Sequence, residues 1–152
     1  VARRARDAGG PALCHQWLDV PAVDLTLAQP AFTEVPDGYL LDRADIVRFL
    51  EAYLPEPTLD RDPDASPLHA ESLAGLPPAW IMSAEFDKLR DDGRAYAEAL
   101  EAAGVPVRFQ ILPGHVHPSF AFTRLIPSSA AYEREAIAAL AAAFARAANP
   151  AA

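Results

Sequence analysis

The chain has 152 residues, enough for one domain with a buried core, and apolar residues make up 51% of it. Thirteen basic and 21 acidic residues leave a net charge of −8 with no basic stripe, which argues against nucleic acid as a partner. No apolar run approaches the ~18 residues of a membrane-spanning helix. The single cysteine, Cys14, rules out an internal disulfide and fits a reducing, cytoplasmic setting.

Residues 1–11 (VARRARDAGGP) read as the last turns of a helix closed by a glycine cap, with arginines but without the apolar stretch of a signal peptide. The only methionine is Met82. A chain that opens on a helix end and carries no initiator is expected to be a piece of a longer protein.

Residues 12–20 (ALCHQWLDV) form a short, mostly apolar run that predicts a buried strand ended by Pro21, with Cys14 as a core residue rather than a nucleophile. The stretch 21–78 is dense in proline and aspartate. It contains one clear helix at about 43–53, with Asp42 placed to cap it and Ile46, Val47, Phe49 and Leu50 as its apolar side. The run LPEPTLDRDPDASP within it predicts an ordered, turn-rich loop.

Residues 79–83 predict a short apolar strand. The next helix, about 89–103, sets Leu89, Gly93, Tyr96, Leu100 and Ala103 on one face and is stopped by Gly104. Asp91 and Asp92 fall in its first turn, where the helix dipole favours negative charge. Val107, Phe109 and Ile111 alternate with Arg108 and Gln110, the pattern of a strand with one wetter face at a sheet edge. A final helix at about 129–146 presents Ile137, Leu140, Ala141 and Phe144 as its expected buried stripe and is ended by Asn149-Pro150. Strand, helix, strand, helix with short connections implies parallel strands and right-handed crossovers. The fold class is α/β, a mostly parallel sheet flanked by helices.

Catalytic groups on parallel sheets gather beyond the carboxyl ends of the strands. Asp87 and His117 follow successive strands at that edge, as an acid and a base that could form two members of a triad. Either alone reads as an ordinary turn aspartate or loop histidine; as a pair at matching strand ends they point to chemistry. Glu85 is a weaker alternative, as the acid or as a residue behind it. His115 and His117 also have the alternation of a metal pair, but only His15, His69 or carboxylates remain as further ligands, so no metal is expected. His115 reads as a loop filler, and His15 and His69 as structural or solvent-facing. Trp17 and Trp80 read as core. Phe32, Tyr39, Phe49 and Tyr53 are candidates to line a pocket, with packing as the default.

The stretch SAEFDKLRDDGRAYAEALEAAGVPVRFQILPGHVH resembles the carboxyl-terminal half of α/β-hydrolase esterases of the hormone-sensitive-lipase type. The D-x-L-R-D turn of that family starts at Asp87, and its P-G-x-x-H segment ends at His117. The resemblance continues upstream through VPAVDLT, DGYLLDRADIVRFLEAYL and the DPDASPL run. It implies a serine-dependent carboxylic ester hydrolase acting on small acyl esters, with Asp87 as triad acid, His117 as triad base and no cofactor. It implies a single α/β-hydrolase domain of which 1–152 is the carboxyl-terminal part, with 21–78 bordering the substrate site. It further suggests homodimers formed through the last strand and helix.

Two departures stand out. The family's His-Gly-Phe is here His117-Pro118-Ser119-Phe120, which costs a backbone N–H after the histidine. The family's H-G-G-G oxyanion loop and G-D-S-A-G nucleophile elbow have no counterpart in the sequence. Ser66, Ser72 and Ser83 all lack the flanking glycines of G-x-S-x-G. The chain alone is therefore expected to be inactive and to need an amino-terminal half that carries the serine. The alternative expectation is a non-catalytic α/β piece or subunit that completes another chain.

Overall fold

The structure, a computed structural model, describes residues 1–149. Helix α1 (Ala2–Asp7) ends in the expected glycine cap: Gly9 takes φ +60°, and the Gly10 N–H donates to the Ala5 carbonyl at 2.8 Å. Strand β1 (Gln16–Asp19), short helix α2 (Ala31–Glu34) and helix α3 (Arg43–Tyr53) follow. Two 3₁₀ turns, Pro57–Arg61 and Pro67–His69, order the proline-rich loop. Strand β2 (Ala79–Phe86), helix α4 (Arg90–Ala102), strand β3 (Val107–Val116), a 3₁₀ turn at Ser119–Ala121 and helix α5 (Pro127–Ala148) complete the order.

The three strands form one parallel sheet in the order β1-β2-β3. As the central strand, β2 is buried on both faces, and its side chains split between two cores as the two-residue strand period requires. Ala79 and Ile81 face α4, where they pack with Tyr96, Ala97 and Leu100. Trp80, Met82 and Ala84 face α5, where they pack with Tyr132 and Ala136. β3 lies at the edge of the described sheet, as its wetter face suggested.

The sequence overestimates β1. Only Gln16–Asp19 pair: β2 begins at Ala79 opposite Gln16, and Val20 leaves the strand at φ +42°. Cys14 accordingly lies outside the strand and is half-buried rather than core. The strand at 79–83 instead runs on to Phe86. Asp42 and Asp45 close a capping box on α3, yet Val47 and Phe49 are exposed and only Ile46 of the expected side is buried.

Helix α5 buries a different face from the one its pattern predicts. Ile137 and Phe144 are 51% and 58% exposed, whereas the helix buries Ser129, Tyr132, Ala136 and Ala143. Trp80 and Tyr132 already fill the gap between sheet and helix, with ring centroids 6.4 Å apart. Small residues at the remaining contact positions let the helix lie close to the sheet, so bulk falls on the outer side. The helix ends at Ala148; Pro150, assigned to its stop from the sequence, lies outside the described residues.

Gly93 marks the closest approach of α4 to β2. A Cβ at this position would sit 2.3 Å from Ser83 Oγ, with Ile81 and Phe109 atoms at 3.5 and 3.6 Å. Ser83 is fully buried, and its hydroxyl finds no hydrogen-bond partner among the described residues. Gly93→Ala is therefore expected to destabilise by about 1–3 kcal/mol through overpacking. Ser83→Ala alone is expected to be neutral or mildly stabilising, since it removes an unsatisfied polar atom. Urea unfolding of the two single variants and the double variant checks this: Ser83→Ala must recover most of the Gly93→Ala loss.

Candidate active site

The run Asp87–Asp92 makes the turn from β2 into α4, and it supplies side-chain partners to backbone that has no ladder of its own. Asp87 is 1% exposed. Its Oδ1 accepts the Leu89 N–H at 2.9 Å, and its Oδ2 lies 2.9 Å from His117 Nδ1. A carboxylate can only accept here, so Nδ1 carries the proton and Nε2 of the neutral ring is left as a base. The His117 side chain is 28% exposed, and Nε2 meets no hydrogen-bond partner among the described residues. The structure thus brings together the two site residues expected from the sequence, 30 positions apart, at the carboxyl ends of neighbouring strands.

The rest of the run grips the segment after β1. Lys88 is buried, yet its ammonium donates to the Val35 carbonyl at 2.5 Å and pairs with Asp37 at 3.0 Å. The Arg43 N–H bond to Asp37, reinforced by Lys88, holds the Asp37 carboxyl below its usual range. Leu89 packs with Phe32 and Ile46. Arg90 bridges Asp91 and Glu34, while Asp91 Oδ2 accepts the Ala31 N–H at the start of α2. The Arg90 hydrogen bond is the main reason the Asp91 carboxyl titrates low. Asp92 Oδ1 accepts the N–H groups of Val23 and Asp24 at 3.1 and 3.0 Å. Asp91 and Asp92 sit in the first turn of α4 as expected, but their oxygens reach to neighbouring segments.

The two histidines of the loop part company. His117 turns to Asp87, whereas His115 is buried with Nδ1 2.9 Å from Ser119 Oγ and Nε2 2.8 Å from Ser128 Oγ. Burial lowers the pKa of His115, and the two hydroxyls satisfy its neutral ring. Ser119 Oγ also accepts the Val116 N–H, and Ser129 Oγ donates to the Ser119 carbonyl, so a serine network fixes the loop. Pro118 precedes the 3₁₀ turn and its carbonyl accepts the Ala121 N–H; the Asp87–His117 contact stands with this residue in place.

The other candidates resolve differently. Glu85 does not face His117; its Oε2 accepts the Gly114 N–H at 2.6 Å. His69 Nε2 lies 2.9 Å from buried Asp24, whereas the ring nitrogens of His15 are buried without a partner among the described residues. No group of three or more His, Cys, Asp or Glu residues is arranged to hold a metal ion among the described residues. Phe32 is core, Phe49 and Tyr53 are exposed, and Tyr39 stacks on Phe86 at 4.9 Å, beside Asp87. Trp80 is core, but Trp17 is only partly buried and donates from Nε1 to Asp19 and Tyr132. Nothing in the sequence marks Lys88 as buried: lysine is normally exposed, and D-x-L-R-D carries no signal of its carbonyl partner.

The sequence model of the α/β hydrolase fold matches residues 1–121. The chain belongs to this family. It is 42% identical to carboxylesterase NlhH of Mycobacterium tuberculosis over 92% of its own length and 45% of that protein's. It is 43% identical to carboxylic ester hydrolase LipN of the same organism, over 90% of this chain and 37% of that one. Among solved structures it superposes on an ester-hydrolase from the metagenome of Lake Arreo with a TM-score of 0.87 and 38% identity, over 95% of this chain and 46% of that one. The chain therefore spans less than half the length of these relatives. No helix among the described residues is long and apolar enough to cross a membrane.

Asp92 is 3% exposed and, with only two backbone donors, its carboxyl is pushed up to about 7, first by burial and then by the charges of Asp24 and Asp87. The folded state then holds this proton more tightly than the unfolded chain, where the ordinary value is 3.8. Stability from this group is greatest at low pH and is lost as pH rises from 3.8 to about 7. Asp92→Asn keeps an oxygen acceptor without the charge. The variant is expected to exceed the parent by about 1–3 kcal/mol at pH 8, with the gap closing towards pH 5. Urea titrations at several pH values measure it; parallel pH dependences in the two proteins would show that Asp92 carries no such penalty.

Proposed function

We propose that this chain supplies the acid and base of a serine-dependent carboxylic ester hydrolase of the hormone-sensitive-lipase type. On this proposal it forms the carboxyl-terminal part of one α/β-hydrolase domain, with 21–78 bordering the substrate site. The observation that carries the proposal is the 2.9 Å contact between His117 Nδ1 and a buried carboxylate whose other oxygen is already held by a backbone N–H. That arrangement orients the ring and supports the positive charge it gains on accepting a proton.

In the complete site, His117 Nε2 takes the proton of a serine hydroxyl as its oxygen attacks the ester carbonyl carbon. The tetrahedral intermediate collapses to an acyl-serine, and the imidazolium returns the proton to the leaving alcohol. Water then repeats the cycle, giving the carboxylic acid and free serine. Asp87 stays ionised throughout and holds the imidazole in one tautomer. The serine and the oxyanion donors belong to the remaining part of the domain: no serine among the described residues hydrogen-bonds His117, and Ser66 and Ser83 are fully buried. Small acyl esters are the substrate class, with no cofactor or metal. The lone Cys14 favours a reducing, cytoplasmic setting. Ile137 and Phe144 on the outer side of α5 suit a homodimer that uses this helix and β3.

A second reading, a non-catalytic α/β unit that completes another chain, draws on a different observation. The outer edge of β1 has no strand partner among the described residues, and such an edge seeks a strand. Intact-mass analysis of the natural product, combined with a fluorophosphonate probe for activated serines, separates the two. A labelled serine on the same polypeptide or on a companion chain is expected. In that assembly, Asp87→Asn and His117→Ala should each lower ester hydrolysis by roughly 10³–10⁴-fold. A natural product that takes no label leaves the binding role and sinks the esterase reading.

A further inference from the structure

Between Ala79↔Val107 and Ala84↔Leu112, β2 and β3 pair with a constant offset of 28 residues. Continued unchanged, that register would set Phe86 against Gly114 and Asp87 level with His115. The observed partner of Phe86 is instead Val116, an offset of 30. Two extra residues of β3 have been absorbed in a bulge between Leu112 and Val116 that takes in His115, and Asp87 meets His117. A slip of one residue would have turned both imidazoles to the opposite face. A slip of two keeps the face and changes only which histidine arrives.

The bulge is centred on Pro113-Gly114. Proline has no N–H to leave orphaned, and Gly114 adopts φ +75°, which a side chain would strain. The Gly114 N–H, displaced from the ladder, is taken at 2.6 Å by Glu85 Oε2 from the facing strand. Glu85 lies within the irregular step itself, between Ala84 and Phe86. At its end His115 turns inward to Ser119 and Ser128, and Val116 rejoins Phe86.

We propose that Glu85 is a positioning residue that latches this bulge and so decides that His117, rather than His115, meets Asp87. The inference rests on the esterase reading for its catalytic meaning, but the latch is testable without hydrolysis. Its action is reach: the side chain must be long enough to accept the Gly114 N–H, and its charge is not required.

The test follows the Nδ1–H proton of His117 by NMR in the full chain, with Asp87→Asn as the reference for its loss. In the parent this proton is expected downfield and protected from solvent exchange. Glu85→Gln keeps both the length and an acceptor and should retain the signal. Glu85→Asp keeps the charge but draws the acceptor back by one methylene; Glu85→Ala removes it. Both should lose at least tenfold in exchange protection. Should Glu85→Ala fail to fold, the Gln and Asp variants carry the comparison. Retention of the signal in Glu85→Asp, or its loss in Glu85→Gln, overturns the proposal. A parent that lacks the signal although Asp87→Asn matches it in fold would instead count against the Asp87–His117 pair, and so against the esterase reading.

Discussion

Backbone without a ladder must find its hydrogen bonds elsewhere, and in this molecule the turn Asp87–Asp92 provides them. Buried N–H and C=O groups left unpaired cost about 1–3 kcal/mol each. The segment from Val23 to Val35 lies against the carboxyl end of β2 with a four-residue helix, a turn at Asp24 and the Ser66 hydroxyl to satisfy part of it. Asp92 takes two of its N–H groups, Asp91 a third, and Lys88 a carbonyl. Asp87, first in the run, has one oxygen occupied by the turn itself, which leaves the other for His117. One hexapeptide thus holds the segment after β1 and orients the His117 imidazole.

That arrangement depends on the sheet beneath it. β2 can carry a buried acid at its carboxyl end because both its faces are covered, by α4 on one side and α5 on the other. The contact at Gly93 brings α4 close to the strand, and Tyr132 with small residues on α5 does so from the opposite face. Tyr132 does more than fill space: its hydroxyl meets Asp19 and Trp17 at the end of β1, tying the last helix to the first strand. Burial and the neighbouring Asp19 push this phenol well above its ordinary range, so it acts as a fixed hydroxyl at all ordinary pH values.

Much of this was legible in the sequence, and what was not has physical causes. The amphipathic period of α4, the Asp42 cap and the positions of Asp87 and His117 depend on local pattern, which a single chain carries openly. The buried face of α5 does not, because an alanine-rich helix offers many small residues of similar hydropathy. Only the partner surface, already filled by Trp80, decides that Ala136 faces in and Ile137 faces out. The length of β1 was set by where β2 begins and by the turn at Val20, neither of which local pattern shows. Pro113-Gly114 signals a turn, but the two-residue change of register appears only once both strands are paired. The burial of Lys88 was invisible for a related reason, since its carbonyl partner lies 53 positions away.

The acids near the site also divide their charge by how deeply each is buried and how many donors it has found. Burial raises the Asp24 carboxyl, but the Thr26 hydroxyl, His69, Gln29 and the Thr26 N–H outweigh it and hold the group at about 2. Asp92 lies deeper and has only two donors, and there burial prevails. An acid that keeps its proton up to near neutrality adds no further negative charge to those of Asp24 and Asp87. As pH rises past about 7 the Asp92 charge appears, in a region where Asp24 and Asp87 already repel it. The N–H groups of Val23 and Asp24 then gain a stronger acceptor while the core loses a neutral one. The tie between α4 and the segment after β1 therefore changes character, from a weak bond at low cost to a strong bond at high cost, without any partner being exchanged.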